Sequence, residues 1–232
     1  MLNKEQFDYN CVLRYLNISQ NNLKDYKCAI DNAIAEVTSL LVPKTAYRLF
    51  EMSVVDNKCH IENGCVNGNF DIVSKDMASC FKGCEHVLIM AVTIGGDIDK
   101  KLKYYYSVDL DKAKIVDAVA SVCVENLLDE LEAQLRHVFA PKHFSMRFSA
   151  GYGDAQLCLQ KPILQSIDGF ERLGITLNDK FFMTPTKSIT ALIGLGDCVE
   201  GVVDPCAVCK FKGKCVIKCN ASQKHNINCT KN

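Results

Sequence analysis

The sequence predicts an α+β domain followed by a short cysteine-rich segment, and three observations lead to this prediction. Apolar residues recur at helical spacing over 22–42 and 109–139. Strand-like runs lie between the helices, but without the regular strand–helix–strand spacing that a parallel sheet requires. After Pro205 the composition changes to closely spaced cysteines. We therefore expect one domain over residues 1–200 and a separate cysteine-rich tail over 201–232.

Helices dominate the first half of the chain, and the strands between them are short. The helix over 22–42 ends at Pro43, since proline lacks the amide hydrogen that a helix interior needs. Ser74 is a typical helix N-cap, because its hydroxyl can accept a hydrogen bond from the first turn. The elements predicted here are a helix over 10–17, the helix over 22–42, a strand over 47–55, a loop or hairpin over 57–69, a helix capped by Ser74 and running through Cys80, a buried strand over 86–94 and a helix beginning near Asp97.

The second half begins with the longest helical pattern, over 109–139. Glu125 lies off its apolar stripe, on a face shared with Ser121, Asp129 and Glu132, and the residue types predict a solvated face. The elements predicted after it are a strand over 144–149 that delivers Arg147 to a Gly-Tyr-Gly turn, a short helix over 161–167, a mixed region over 170–182 and a strand over 188–195.

Charge and hydropathy exclude two classes of partner. The formal net charge is zero and the sequence pI is near 6.9, so there is no basic stripe for a nucleic-acid backbone. The longest apolar run, around 87–94, is far shorter than the roughly 20 residues of a membrane span. The first residues contain no apolar stretch typical of a secretion signal, so we expect a cytoplasmic protein.

Fourteen cysteines are many for 232 residues. A chain with a normal core-forming composition and no secretion signal is not expected to be a disulfide scaffold. Four of the cysteines lie singly among apolar neighbours and are predicted to be small buried hydrophobic residues. These four are Cys11, Cys28, Cys123 and Cys158.

The tail carries a different cysteine pattern, Cys206-x2-Cys209-x5-Cys215-x3-Cys219. Lysines are interleaved with these thiols, and nearby positive charge favours the thiolate form that binds metals. Four close thiolates can form a tetrahedral site for zinc or hold an iron–sulfur cluster. The spacing matches neither the two-knuckle zinc ribbon nor the common bacterial ferredoxin run. A metal or cluster site is therefore one hypothesis, and a free redox-active thiol cluster is the other.

One stretch concentrates groups suited to a polar ligand. It reads Arg147-Phe148-Ser149-Ala150-Gly151-Tyr152-Gly153-Asp154. Glycines let the backbone approach a ligand closely, and an arginine offers a planar fork to a carboxylate or phosphate. A turn with a partly exposed salt bridge is the structural alternative.

A second stretch, Met183-Thr184-Pro185-Thr186-Lys187-Ser188-Ile189-Thr190, sets the first in a wider pattern. An R-x-x-x-G-Y segment followed by P-x-x-S-[IV]-[ST] resembles the activation domain of cobalamin-dependent methionine synthase, and especially the short free-standing proteins built on that domain. Val12–Leu16 and Thr93-Ile94-Gly95 fit the same pattern, and the resemblance covers most of residues 5–197. It implies a twisted, mainly antiparallel sheet flanked by helices. For Pro185, Lys187 and Ser188 themselves we expect a strand entry with an exposed lysine.

The resemblance also implies a function. Such a protein would bind S-adenosylmethionine and support reductive remethylation of cobalamin on a separate methionine synthase or related corrinoid protein, with an electron donor as a further partner. Arg147 would pair with the methionyl carboxylate, backbone groups around Ser149 and Gly151 would take polar atoms, and Tyr152 would pack nearby. Glu125 would help to hold the cofactor. The chain departs from the fused domain at Ser149 and Ala150, where that domain has alanine and proline.

Two alternatives come from the tail, which the free-standing relatives often share. The protein could be an iron–sulfur redox protein that delivers electrons to a corrinoid protein. It could instead be a non-catalytic module that docks on such a protein, with zinc in its tail. Visible absorption separates them, since a cluster is coloured and zinc is colourless.

Overall fold

A computed structural model describes residues 7–65 and 68–200. The helices and strands follow the predicted order. The helices are α1 Tyr9–Tyr15, α2 Leu23–Leu40, α3 Lys75–Cys80, α4 Asp97–Val108, α5 Leu110–Val138, α6 Gln160–Ser166 and α7 Gly169–Leu173. The strands are β1 Lys44–Val55, β2 Lys58–Cys65, β3 Gly68–Val73, β4 His86–Thr93, β5 His143–Phe144, β6 Thr176–Leu177, β7 Met183–Thr184 and β8 Ser188–Gly196.

Six strands form one sheet in the order β3-β2-β1-β4-β8-β5, and β6 and β7 form a separate ribbon. The pairs β1–β2, β2–β3 and β5–β8 are antiparallel. The central strand β4 is apolar and buried from Val87 onward, as its branched residues predict. The expected class, α+β with a mainly antiparallel sheet flanked by helices, is confirmed.

The described chain divides into two compact units. The first comprises the described residues up to Arg48, together with Ile89–Ala140 and Gln160–Thr190. The second comprises Leu49–Leu88, Pro141–Leu159 and the described residues from Ala191 onward.

In the first unit, α5 packs against α1, α2 and α4. A polar cluster joins three of these helices. The carboxylate of Glu36 on α2 accepts a hydrogen bond from the Tyr105 hydroxyl and pairs with Lys101 at 3.4 Å and Lys112 at 3.2 Å. Burial raises the pKa of Glu36, but these three donors outweigh it and hold the pKa below its usual value. The cluster therefore fixes α2 against the α4–α5 turn.

In the second unit, β1, β2 and β3 form a meander, and α3 follows it. A loop or hairpin was predicted over 57–69. The structure contains the hairpin, but its strands β2 and β3 occupy most of the range that was predicted as loop. Asn57 lies in the turn between β1 and β2, and β2 pairs with β3 from Lys58 onward. Ser74 caps α3 as predicted, since its hydroxyl accepts a hydrogen bond from the Met77 amide at 3.0 Å.

The predicted strand over 144–149 is wrong in length. Regular pairing with β8 stops at Phe144, opposite Leu195, and resumes at a single bridge between Phe148 and Leu192. Three residues, 145–147, thus lie between these two pairs on one strand and two residues, 193–194, on the other, so one extra residue interrupts the ladder. The Ser145 hydroxyl accepts from the Gly194 amide at 2.8 Å within this interruption.

The predicted exposure of three cysteines and of Glu132 needs correction. Cys123 is buried, but Cys11 and Cys158 are half-buried and Cys28 is exposed. Cys28 is exposed because the buried positions of α2, beginning with Ile30, lie on the other side of that helix. Glu132, expected on a solvated face, is only 5% exposed and accepts two hydrogen bonds from Arg136 one turn on.

Candidate functional site

The candidate ligand loop comprises residues 147–154 and lies entirely in the second unit. Its first fixed point is Phe148, which exchanges two backbone hydrogen bonds of 2.8 Å with Leu192 on β8. Arg147 immediately precedes this bridge, is half-buried overall and has a buried Nη1 atom. The bridge to β8 therefore fixes the backbone next to Arg147.

Hydrogen bonds within the chain hold the turn itself. The Tyr152 amide donates to Ser149 O at 3.2 Å, and the Ala155 amide donates to Tyr152 O at 2.9 Å. The Gly151 amide donates to Ala155 O at 3.0 Å, which closes the base of the turn. Gly151 has φ of +88°, a conformation that glycine adopts without strain.

This turn buries Ala150 and displays Tyr152. Ala150 is 7% exposed, whereas the Tyr152 side chain is 60% exposed. A large aromatic residue held out by a hydrogen-bonded turn offers a flat apolar face together with a hydroxyl. Of the predicted site residues, Ser149, Gly151 and Tyr152 thus belong to this turn, and Arg147 lies just before the bridge that leads into it.

Asp154 ends the loop on the N-terminus of α3. Its carboxylate accepts hydrogen bonds from the Ser74 hydroxyl, from the Lys75 amide at 2.7 Å and from the Asp76 amide at 3.3 Å. Burial raises the pKa of Asp154, but the hydrogen bonds from Ser74 and the two amides prevail and hold the pKa below its usual value. Sequence reasoning missed this contact because 80 residues separate Ser74 from Asp154.

The other predicted site residue, Glu125, is half-buried on α5 in the first unit. Asp117 and Ser121 precede it at intervals of four, so the three side chains share one stripe of this helix. Ser121 and Asp117 are both bound by a lysine from the second motif.

That lysine is Lys187, which the sequence predicts to be exposed. The prediction is wrong, because its side chain is only 11% exposed. Its Nζ lies 2.9 Å from the Asp117 carboxylate and 2.8 Å from the Ser121 hydroxyl. Pairing with a carboxylate and a hydroxyl offsets the free-energy cost of removing the Lys187 ammonium from water.

The rest of this motif also bonds inside the first unit. The Thr186 amide and hydroxyl both donate to the carboxylate of Asp99, at 2.8 and 2.5 Å. The Ser188 hydroxyl lies 2.8 Å from the Thr93 hydroxyl and 2.7 Å from Pro185 O. The P-x-x-S segment therefore fastens the entry of β8 to β4 and α4.

An open cavity of about 280 Å³ also lies in the second unit. It is lined by Glu51, Met52, Ser53, Glu62, Glu85 and His86. Residues of the ligand loop do not line it, so it is a separate, acidic feature.

Three buried thiols of the second unit are poor nucleophiles. Burial raises the pKa of Cys59 and Cys84 to about 12 and that of Cys80 to about 11. Within residues 7–65 and 68–200, no group of three or more His, Cys, Asp or Glu side chains could hold a metal ion. The predicted metal ligands lie outside the described residues and stay a prediction. These are Cys206, Cys209, Cys215 and Cys219.

Comparisons with known proteins agree with this architecture. No protein-family model matches the chain, and no curated protein matches it. Among solved structures, the chain is similar to a crystal structure of the MetH reactivation domain bound to AdoHcy. The TM-score is 0.65 at 14% sequence identity, over 85% of this chain and 75% of that one. The likeness is one of fold.

In the part of the chain that the structure describes, none of the helices has the length and apolarity needed to cross a membrane.

Proposed function

We propose that this protein binds S-adenosylmethionine through the ligand loop, residues 147–154, and supports reductive remethylation of cobalamin on a separate methionine synthase or related corrinoid protein. The observation that carries the proposal is the fold, which is similar to that of a reactivation domain bound to AdoHcy. AdoHcy is what remains of S-adenosylmethionine after its methyl group has been transferred. The loop sequence supports the same ligand independently of the fold.

The chemical groups of the loop match those of the ligand. S-adenosylmethionine carries a carboxylate, for which the Arg147 guanidinium is a suitable bidentate partner. It also carries a flat adenine, and the exposed ring of Tyr152 offers a surface for stacking. In this assignment Arg147 fixes the amino-acid end, and Tyr152 packs on or near the nucleoside.

Two backbone amides of the turn are committed to bonds within the chain, which narrows the donors that the backbone around Ser149 and Gly151 can offer to a ligand. The amides of Gly151 and Tyr152 donate to carbonyl groups within the chain. We therefore expect the loop to meet the ligand through carbonyl oxygens and side chains. The ammonium, the ribose hydroxyls and the adenine amine of S-adenosylmethionine are all donors, so carbonyl acceptors suit them.

Glu125 lies in the first unit and stays a candidate ligand residue that the sequence resemblance alone suggests. An acidic side chain favours a bound ammonium or sulfonium through simple charge attraction. Its neighbour two turns earlier, Asp117, is already paired with Lys187, so Glu125 extends a charged stripe of α5.

The protein's contribution would be placement. Bound S-adenosylmethionine supplies an electrophilic methyl group, and one electron from a donor together with that methyl converts oxidised cobalamin to methylcobalamin, leaving AdoHcy. Neither change requires a side chain to take up a proton. What the loop residues would do is hold the ligand in one orientation and shield it from water.

Isothermal titration of S-adenosylmethionine into the wild type and Arg147→Ala tests the proposal. We expect wild-type binding and a loss of about 100-fold in the variant, because charge-assisted bonds to the carboxylate disappear. Arg172→Ala is the matched control, since Arg172 is an exposed arginine on α7. A folded wild type that does not bind, or an Arg147→Ala variant that binds equally well, would contradict the proposal.

A further inference from the structure

Asp154, the last residue of the ligand loop, is held by α3 through bonds in both directions. Its carboxylate accepts from the Ser74 hydroxyl, the Lys75 amide and the Asp76 amide. Its own amide donates to the Asp76 carboxylate at 3.2 Å. We call Asp154 and its partners Ser74, Lys75 and Asp76 the loop anchor.

Ser74 acts as a hydrogen-bond donor with a fixed direction in the anchor. Its hydroxyl accepts a hydrogen bond from the Met77 amide, so its single proton is directed to Asp154. Ser74 is only 1% exposed, which removes water as a competing partner for that proton. The Asp154 carboxylate thus accepts from a Ser74 hydroxyl that is buried and already oriented by its bond with the Met77 amide.

Gly153 shows how closely the loop lies on this anchor. A Cβ at this position would stand 2.3 Å from Oδ2 and 3.1 Å from Cβ of Asp76. Gly153 also has φ of +52°. The backbone directly after Tyr152 is therefore seated against Asp76, and only glycine permits this contact without a shift.

Tyr152 consequently lies between two fixed points. On one side is the bridge of Phe148 to Leu192, and on the other is the loop anchor. Its ring is nevertheless 60% exposed. A side chain that is exposed yet held by its backbone is pre-organised, so a ligand need not order the turn on binding.

We propose that Asp154 is a positioning residue, which does not touch the ligand but holds the Gly-Tyr-Gly turn in the conformation that binds it. This inference rests on the proposed function for its ligand, but the anchoring of the turn is a separate claim. Two readouts therefore keep the two claims apart.

The first readout needs no ligand. The chain contains no tryptophan, so Tyr152→Trp places a single fluorescent indole at the tip of the turn. We expect its steady-state anisotropy to fall when Asp154→Ala is added, because the anchor no longer restrains the turn. Asp179→Ala, which changes an exposed aspartate outside the loop, should leave the anisotropy unchanged. Unchanged anisotropy in the Asp154→Ala protein would overturn the inference.

The second readout is the affinity for S-adenosylmethionine, measured with Tyr152 intact. We expect Asp154→Ala to weaken binding about 5- to 10-fold, since the ligand must then order the turn. Ser74→Ala, which removes the oriented donor, should weaken it in the same direction. The double variant should bind no more weakly than Asp154→Ala alone, because Ser74 contacts the loop through Asp154, whereas loss of its cap on α3 should appear in the thermal melt.

The outcomes distinguish the two claims. Wild-type binding with equal affinity in Asp154→Ala overturns the positioning role while leaving the proposed function intact. A wild type that binds no S-adenosylmethionine contradicts the proposed function and the ligand part of this inference, and the anisotropy still decides whether Asp154 anchors the turn. A thermal melt of each variant confirms that its fold persists.

Discussion

The two segments that the sequence marks most strongly, residues 147–154 and 183–190, have opposite environments. The first displays Tyr152 to solvent from a turn that is fixed at both ends. The second directs Lys187, Thr186 and Ser188 into bonds with α4, α5 and β4. Equally prominent motifs thus have different environments, since one presents an exposed turn, the proposed ligand contact, and the other bonds within the scaffold.

Burial of the polar groups distinguishes the two segments. The Lys187 side chain is only 11% exposed and has an ionic partner, so its charge is used inside the fold. The Tyr152 ring is exposed, so it contributes little to the core and is accessible to a ligand. Changes in the two segments should therefore separate stability from ligand binding.

Lys187→Met should give the largest effect on stability. The substitution keeps much of the side-chain volume but leaves Asp117, which is 38% exposed, without its partner. We expect a loss of about 1–3 kcal/mol in the free energy of unfolding, measured by urea denaturation. Affinity for S-adenosylmethionine should stay within about twofold. Lys103→Met, at an exposed position of α4, is the control and should change neither quantity.

Tyr152→Ala should give the reverse pattern. Removing an exposed ring should change the unfolding free energy by no more than about 0.5 kcal/mol. Ligand affinity, measured by titration calorimetry, should fall about 5- to 10-fold because a stacking surface is lost. Tyr104→Ala offers a matched exposed tyrosine, 57% exposed on α4. If the two tyrosine variants bind alike, the turn is not the ligand contact.

The smallest effect should be the pH dependence of the loop anchor. The pKa of Asp154 is lowered in the folded protein, so its hydrogen bonds stabilise the fold above the ordinary aspartate value of 3.8. This contribution is lost as the pH falls through the lower, folded value. Urea denaturation of the wild type and Asp154→Asn, from neutral pH to about pH 3, should show a stability difference that shrinks on acidification. A difference that grows toward acid would show that Asp154 is not held as a carboxylate.

Local patterns predicted the elements because each depends on neighbouring residues. The apolar spacing of α5, the proline after α2 and the cap of α3 by Ser74 are all readable within a few positions. The Gly-Tyr-Gly turn was predicted for the same reason. The length of the strand before it was not, because the extra residue opposite β8 depends on the register of a distant strand.

Polar pairs between residues far apart in the chain could not be predicted from the sequence. Lys187 reads as a surface lysine until its partners Asp117 and Ser121, about 70 residues earlier, are known. Asp154 likewise reads as part of the turn until Ser74 is known to face it. In both cases the residue type was noticed, but its partner was set by tertiary packing.

The most direct test of this account is the shift in melting midpoint that saturating S-adenosylmethionine produces in the wild type, Arg147→Ala and Lys187→Met. At a ligand concentration about 100 times the wild-type Kd, the wild type should shift by about 5 to 10 °C. Lys187→Met should start from a lower midpoint and shift equally, whereas Arg147→Ala should shift by only about 1 °C from its own starting midpoint. A full shift in Arg147→Ala, or none in Lys187→Met, would contradict the division between ligand loop and scaffold.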